Sequence, residues 1–178
     1  MVIRGGEGVS KQSQAAVLQA IKELNYRPNI IARSLVQRRT RMIGVLIPDL
    51  RNPFFSEVIS GVQGRARELA FRVLFKTGER QPELEEQAIQ NFLELRVDGL
   101  ILAVPRVEEQ IIVDAGRWTP VVVLNYQTSD DSSDSLSSDN ITGAALAVEH
   151  CASLGHRRIA LIEGGAGRAA QSRREGYL

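Results

Sequence analysis

At 178 residues the chain has room for one domain, or for a small module joined to one domain. Its 43% hydrophobic content supports a buried core, and 24% charged residues is ordinary for a soluble globular protein. A single cysteine, Cys151, excludes a disulfide framework and a cysteine-based metal site. No apolar run approaches the roughly 18 residues of a membrane span, and the amino-terminal Met-Val-Ile-Arg-Gly-Gly is too short and polar for a signal peptide, so a cytoplasmic, reducing setting is expected.

The net charge of +1 hides an asymmetry: residues 1–41 hold 8 basic against 2 acidic side chains, and residues 42–178 hold 14 against 19. A basic arm on an acidic body fits nucleic-acid binding by the arm, with a solvated linker as the alternative. Val2-Ile3 is an apolar fragment cut short by the glycine-rich turn Arg4-Gly5-Gly6-Glu7-Gly8. Ser10 reads as an N-cap with Val9 as its staple residue. From Lys11 to Asn25, the apolar residues Val17, Leu18, Ile21 and Leu24 recur at helical spacing, with Asn25 as C-cap and Pro28 as a stop. Nothing within residues 1–41 is large enough to cover that apolar face. After Pro28, the residues Ile31, Ala32 and Leu35 share one helical face over about two turns, a length marginal for a helix in water. Five arginines, Arg27, Arg33, Arg38, Arg39 and Arg41, surround it with no acid among them, so the stabilising partner is expected to be a polyanion.

From Met42 the pattern changes. Met42–Ile47 is a continuous apolar run ended by Pro48-Asp49, as in a strand buried on both faces. Phe54–Ala70 follows as a helix with Phe55, Val58, Ile59, Val62, Ala66 and Leu69 as its stripe, then a strand over Phe71–Phe75. Pro82 opens a helix whose core face is Gln87/Ala88, Phe92 and Leu95. Val97–Val104 is a third strand, Val107–Ala115 a short helix and Pro120–Leu124 a fourth strand. Gln127–Asp134 reads as a surface loop, Asn140–Leu154 as a helix and Arg158–Ile162 as a last strand. Strict alternation of apolar strands with helices predicts an α/β fold, a doubly wound parallel sheet. In such sheets ligands bind at the carboxyl ends of the strands. Those ends are Asp49–Phe55, Lys76–Gly78, Ala103–Arg106, Asn125-Tyr126 and Glu163–Gly167.

Few of these stretches carry chemistry. Gly164-Gly165-Ala166-Gly167 has neither the G-x-G-x-x-G spacing nor a following Gly-Lys-Ser/Thr, and reads as a loop. His150 and His156 have no ligand cluster around them; the first is read as a helix-surface or core residue, the second as capping the turn after Gly155. Cys151 is read as a buried structural thiol. There is no nucleophile elbow, and Glu83, Glu85, Glu86 and Glu94 read as a solvated helix face. Catalysis has no support, no cofactor is called for, and the expectation is a non-enzyme. Asp49-Leu50-Arg51-Asn52-Pro53-Phe54-Phe55 differs, because it sets a carboxylate, an amide and two aromatics where the first strand ends. Aromatic faces with fixed polar groups suit a polyhydroxyl ligand such as a sugar. The same residues also spell a helix start, with Asn52 as N-cap, Pro53 at the first position and Phe55 in the core.

Four stretches resemble the LacI/GalR family of bacterial transcriptional repressors. They are Tyr26-Arg27-Pro28-Asn29 with Ala32-Arg33-Ser34-Leu35; Ile43–Asp49 with Asn52-Pro53-Phe54-Phe55; Arg96–Ile101; and Val148-Glu149-His150 with Leu154–Ala160. The resemblance implies a helix-turn-helix DNA-binding head, a hinge helix, and a periplasmic-binding-protein-like core of two lobes that forms homodimers. On that likeness Lys11–Asn25 is the third helix of the head, and residues 1–27 are a partial head. Residues 28–41 are hinge and linker, 42–138 the first lobe of the effector-binding core, and 139–178 the start of an incomplete second lobe. The hinge would order with its twin in the minor groove of operator DNA. Leu35 would be the wedge between base steps, Asn29 and Ala32 its groove-facing neighbours, and Arg33, Arg38 and Arg39 salt-sensitive phosphate contacts. Such a wedge kinks DNA by about 20–90°. The resemblance also makes Asp49, Asn52, Phe54, Phe55, Asn125 and Tyr126 the effector-binding set for a small, sugar-like molecule. It departs from the family at Asn125-Tyr126, where relatives often have Asp-Arg, and at Gln171, where an effector-binding arginine is often found. In the family the first two head helices, including the one that reads bases, precede such a glycine-rich turn, and here only Val2-Ile3 could be left of them. The expectation is therefore a fragment of a DNA-binding repressor, with two alternatives: a sugar-binding module without DNA binding, or an inactive truncated product.

Overall fold

A computed structural model describes residues 10–25, 34, 39–129, 131–165 and 167–178, within two compact units, Met1–Thr40 and Arg41–Leu178. In the first unit α1 spans Lys11–Glu23. The Ser10 hydroxyl accepts the Ser13 amide at 3.2 Å, the expected N-cap. Leu24, not Asn25, is the C-cap. Asn25 stands one residue on, in the left-handed region at φ 48, and its N–H reaches the Lys22 carbonyl, the geometry asparagine tolerates after a helix end. Val17, Leu18 and Leu24 are exposed, so the apolar face of α1 is open. The expected turn at Arg4–Gly8, Val9, Pro28 and the hinge helix Asn29–Leu35 lie outside the described residues, save Ser34, which is helical.

The second unit runs β1 (Met42–Ile47), α2 (Pro53–Glu68), β2 (Arg72–Thr77), α3 (Pro82–Glu94), β3 (Gly99–Ala103), α4 (Glu109–Gly116), β4 (Val121–Leu124), β5 (Asp134–Leu136), α5 (Asn140–Ser153) and α6 (Arg168–Tyr177). All five strands pair in parallel in the order β2-β1-β3-β4-β5, the doubly wound sheet expected from the alternation. Strand residues alternate faces. On one face Leu46, Leu100, Leu102, Val121 and Val123 pack with Ala88, Ile89 and Phe92 of α3 and Ile112 and Ala115 of α4. On the other, Val45, Ile47 and Ala103 pack with Phe55 and Ile59 of α2. Gly44 lets α3 approach: a β-carbon there would stand 2.8 Å from both Phe92 Cγ and Leu100 Cδ2. The α2 and α3 ends share one device, a left-handed residue (Ala70 and Arg96) whose amide and that of its successor return to the last turn.

Several expectations are corrected. The buried positions of α3 are Glu85, Ala88, Ile89 and Phe92, the i, i+3, i+4, i+7 pattern, and not Gln87 or Leu95, which are exposed. Glu85 therefore does not belong to a solvated face. The Gln127–Asp134 loop gives way at its end to β5, whose three residues are all exposed. Arg158–Ile162 is not a strand: it pairs with no strand among the described residues, and Ile162 is 95% exposed. An apolar run becomes a strand only where a neighbour supplies a ladder, and β5 occupies that edge of the sheet. Instead the segment lies beside α6, with the Tyr177 hydroxyl donating to the Ile159 carbonyl at 2.8 Å. Cys151 is half-buried, not enclosed. His150 is on the exposed helix surface. His156 closes the end of α5 through its backbone, its N–H going to the Cys151 carbonyl beside left-handed Gly155.

Candidate functional site

The chain passes from β1 to β2 on one side and then to β3 on the other, so the order in which strands are added reverses between β1 and β3. Crossovers leave opposite faces there and open a crevice at the carboxyl ends. Asp49–Phe55 follows β1 and Val104–Arg106 follows β3, with Asn125-Tyr126 one strand further on. Asp49 to Asn125 thus spans two inter-strand steps, about 10 Å.

Each group at this rim is held. Asp49 Oδ1 accepts the amides of Arg51 (2.9 Å) and Asn52 (3.1 Å), and Oδ2 accepts Arg80 Nε and pairs with Nη2, both at 3.1 Å. The Asn52 amide first, then the Arg80 guanidinium and the Arg51 amide, hold its carboxyl below the ordinary value. Asn52 caps α2, its Oδ1 accepting the Phe54 amide at 3.0 Å, and Pro53 removes one of the donors the helix start would leave unpaired. The two aromatics then separate. Phe55 is 5% exposed and sits in the core, whereas Phe54 is 50% exposed and meets its ring edge-to-face, at 5.3 Å and 78°.

At the far side of the crevice Asn125 has φ 52; its amide donates to the Leu136 carbonyl at 2.8 Å and its Oδ1 accepts the Ser138 amide at 3.2 Å. Tyr126 packs partly on the core while Arg168, from the start of α6, stands over its ring at 5.2 Å and donates to the Gln127 carbonyl at 3.3 Å. Asn125, Tyr126, Ser138, Asn140 and Arg168 line one polar cleft; Asp49, Arg51, Asn52 and Arg80 line another.

Backbone strain gathers at this end. Among the described residues, the non-glycine positions with positive φ fall into two groups: Asn25, Ala70 and Arg96 follow helix ends, where the conformation closes the helix, and Arg41 precedes β1. The other four, Glu79, Arg80, Val104 and Asn125, follow β2, β3 and β4. Val104 is β-branched, the residue type least suited to that region. Strain of this kind costs about 1–3 kcal/mol per residue and clusters where a ligand is received.

Two contributors escaped the sequence. Arg168 is brought to Tyr126 from 42 positions away, which only the tertiary fold reveals. Glu85, 1% exposed, accepts the Arg106 amide at 2.6 Å and the Val107 amide at 3.3 Å. Burial pushes its carboxyl above the ordinary value, against those two amides and the Arg106 charge. Its place in the period 85, 88, 89, 92 was the available signal. Of the expected DNA contacts, Asn29, Ala32, Arg33, Leu35 and Arg38 lie outside the described residues, and Arg39 is exposed. Among the described residues no helix is long and apolar enough to cross a membrane.

Residues 40–178 match the family model described as periplasmic binding proteins and sugar binding domain of LacI family. A ribose operon repressor of Halalkalibacterium halodurans is 38% identical over 95% of this chain and 50% of its own length. The lac repressor dimer bound to operator and the anti-inducer ONPF superposes with a TM-score of 0.82 at 28% identity, over 99% of this chain and 54% of that one. A LacI family transcriptional regulator from Enterococcus faecium with bound ribose gives 0.63 at 29% identity, over 76% and 50%. The chain spans about half the length of the curated relatives it matches.

Proposed function

The chain belongs to the LacI/GalR family of transcriptional regulators, and from that membership we propose that it is the part of a DNA-binding repressor that joins operator contact to effector sensing. Residues 42–138 are the first effector lobe, and the β1/β3 crevice receives a small polyhydroxyl molecule. Asp49 and Asn52 offer hydrogen bonds, Phe54 an apolar ring face, and Asn125 and Tyr126 the opposite wall; Phe55 serves from beneath by fixing Phe54. The observation that carries this reading is the convergence of strained backbone and pre-bonded polar groups on the carboxyl ends of β1, β3 and β4. Residues 139–178 begin a second lobe. In support, α5 has no buried residue, and Leu146 on it and Leu154 at its C-cap are exposed, as for a helix whose covering layer belongs to further chain.

Residues 28–41 are the hinge and linker, with Leu35 as minor-groove wedge beside Asn29 and Ala32, and Arg33, Arg38 and Arg39 on phosphates. The protein acts as a homodimer, in the cytoplasm, as a regulator rather than an enzyme. Sequence likeness to a ribose operon repressor over 99% of the chain, beyond the sugar-binding domain that begins at residue 40, favours this reading over a ligand-binding module alone. Fluorescence anisotropy against operator-like and random duplexes, at about 50 and about 200 mM salt, tests it. Binding is expected to be weak, little dependent on sequence and steeply weakened by salt, because phosphate contacts release counterions. No binding at the lower salt would refute the hinge assignment. Nanomolar, sequence-selective binding at the higher salt would contradict a reading in which the arm contacts phosphates and the minor groove alone.

A further inference from the structure

A carboxylate in a protein core costs several kcal/mol unless its oxygens are well partnered, so what Glu85 holds is informative. It leans on Gly78, just past β2, where a β-carbon would stand within 2.2 Å of its Cγ. The Gly78 amide in turn bonds the Ile47 carbonyl at the end of β1. From that position Glu85 Oε2 takes the Arg106 and Val107 amides, the first two available after strained Val104 and Pro105, which has no N–H. One buried side chain thus links the turn after β3 to Gly78 and, through the Gly78 amide, to the end of β1.

We infer that Glu85 is a positioning residue of the effector site, holding the Val104–Val107 turn in its ligand-receiving shape through two backbone hydrogen bonds. This rests on the effector reading of the crevice. It explains why Val104 keeps its unfavourable backbone: the two amides beyond it are anchored, so the turn cannot relax without leaving them unpaired. Glu85 touches no ligand; its effect passes through the loop.

The test compares Glu85→Met, which keeps the volume and removes the acceptor, with Glu85→Gln, which keeps a neutral acceptor. Thr119→Val serves as control, since Thr119 is buried at the opposite end of the sheet and donates to the Val97 carbonyl at 3.1 Å. Affinity for D-ribose and amide hydrogen exchange are read on the full chain. Each hydrogen bond contributes about 0.5–1.5 kcal/mol and two are lost, so Glu85→Met should weaken ribose binding by up to about 10–100-fold and speed exchange at Arg106 and Val107 beyond any change in global stability. Glu85→Gln should stay near wild type. Thr119→Val should lower stability with affinity and loop exchange unchanged. Wild-type affinity in Glu85→Met, or an equal affinity loss in a comparably destabilised Thr119→Val, overturns the inference. If Glu85→Met does not fold, Glu85→Asp, which withdraws the acceptor, is read in its place. A wild-type chain that ignores ribose refutes the ligand class instead, and exchange at Arg106 and Val107 still decides whether Glu85 orders the turn.

Discussion

The adjacent phenylalanines offer a sharp test, because one sequence motif is divided between core and site. Phe55 is 5% exposed among Val45, Ile47, Ile59 and Ala103. Truncation to alanine in such surroundings removes transfer free energy and leaves a cavity, about 3–5 kcal/mol for a phenylalanine, against a total stability of about 5–15 kcal/mol. Phe54 is half exposed, so Phe54→Ala loses little burial, and its edge-to-face contact with Phe55 is worth at most about 0.5–1.5 kcal/mol. If the open face of Phe54 stacks on the ligand, a contribution of that same size weakens binding about 2–10-fold. Urea unfolding and calorimetric titration with D-ribose, run on both variants, separate the roles. Phe55→Ala should shift the unfolding midpoint steeply. Phe54→Ala should leave it nearly in place while lowering affinity. Equal destabilisation by both, or unchanged affinity in Phe54→Ala, would refute the division.

Asn52→Ala should cost about 1 kcal/mol through loss of the α2 N-cap, read as a lower unfolding midpoint, with Asn52→Ser recovering most of it. Gly44→Ala should cost about 1–3 kcal/mol by overpacking against Phe92 and Leu100, visible in the same assay. The acid dependence of stability has two opposing parts. Asp49, and Asp139, which caps α5 by accepting the Thr142 amide at 3.0 Å, have carboxyls held below their ordinary 3.8 by those hydrogen bonds, so their contribution is present above that value and lost as pH falls through their folded values. Glu85 is raised above its ordinary 4.5; its contribution is present below 4.5 and lost as pH rises through the folded value. Unfolding of Glu85→Gln across this range should lack the second part and keep the first.

The strands of the sheet's centre were legible because they are buried on both faces: Met42–Ile47 has no polar side chain to place, and only a sheet covered by helices accepts it. The strand end at Asp49–Phe55 was legible for a related reason, since Asn52-Pro53 announces the helix and the two aromatics follow. What stayed hidden depends on tertiary pairing. Asp134-Ser135-Leu136 becomes β5 only because β4 offers it a ladder, while the more apolar Arg158–Ile162 finds none. Glu85 resembled its neighbours Glu83 and Glu86 until the helix phase was set by Ala88, Ile89 and Phe92. Arg168 carries no local mark at all, because its meaning lies in the Tyr126 ring beneath it.

The central claim is that the β1/β3 crevice at the strand carboxyl ends is where an effector sits. Amide chemical-shift mapping of the full chain during titration with D-ribose tests it most directly. Saturable shifts are expected at residues 49–55, 104–107 and 125–126, with the strand amino ends near residues 41, 72, 97 and 120 unmoved. Shifts confined to those amino ends, or none at ribose concentrations well into the millimolar range, would contradict it.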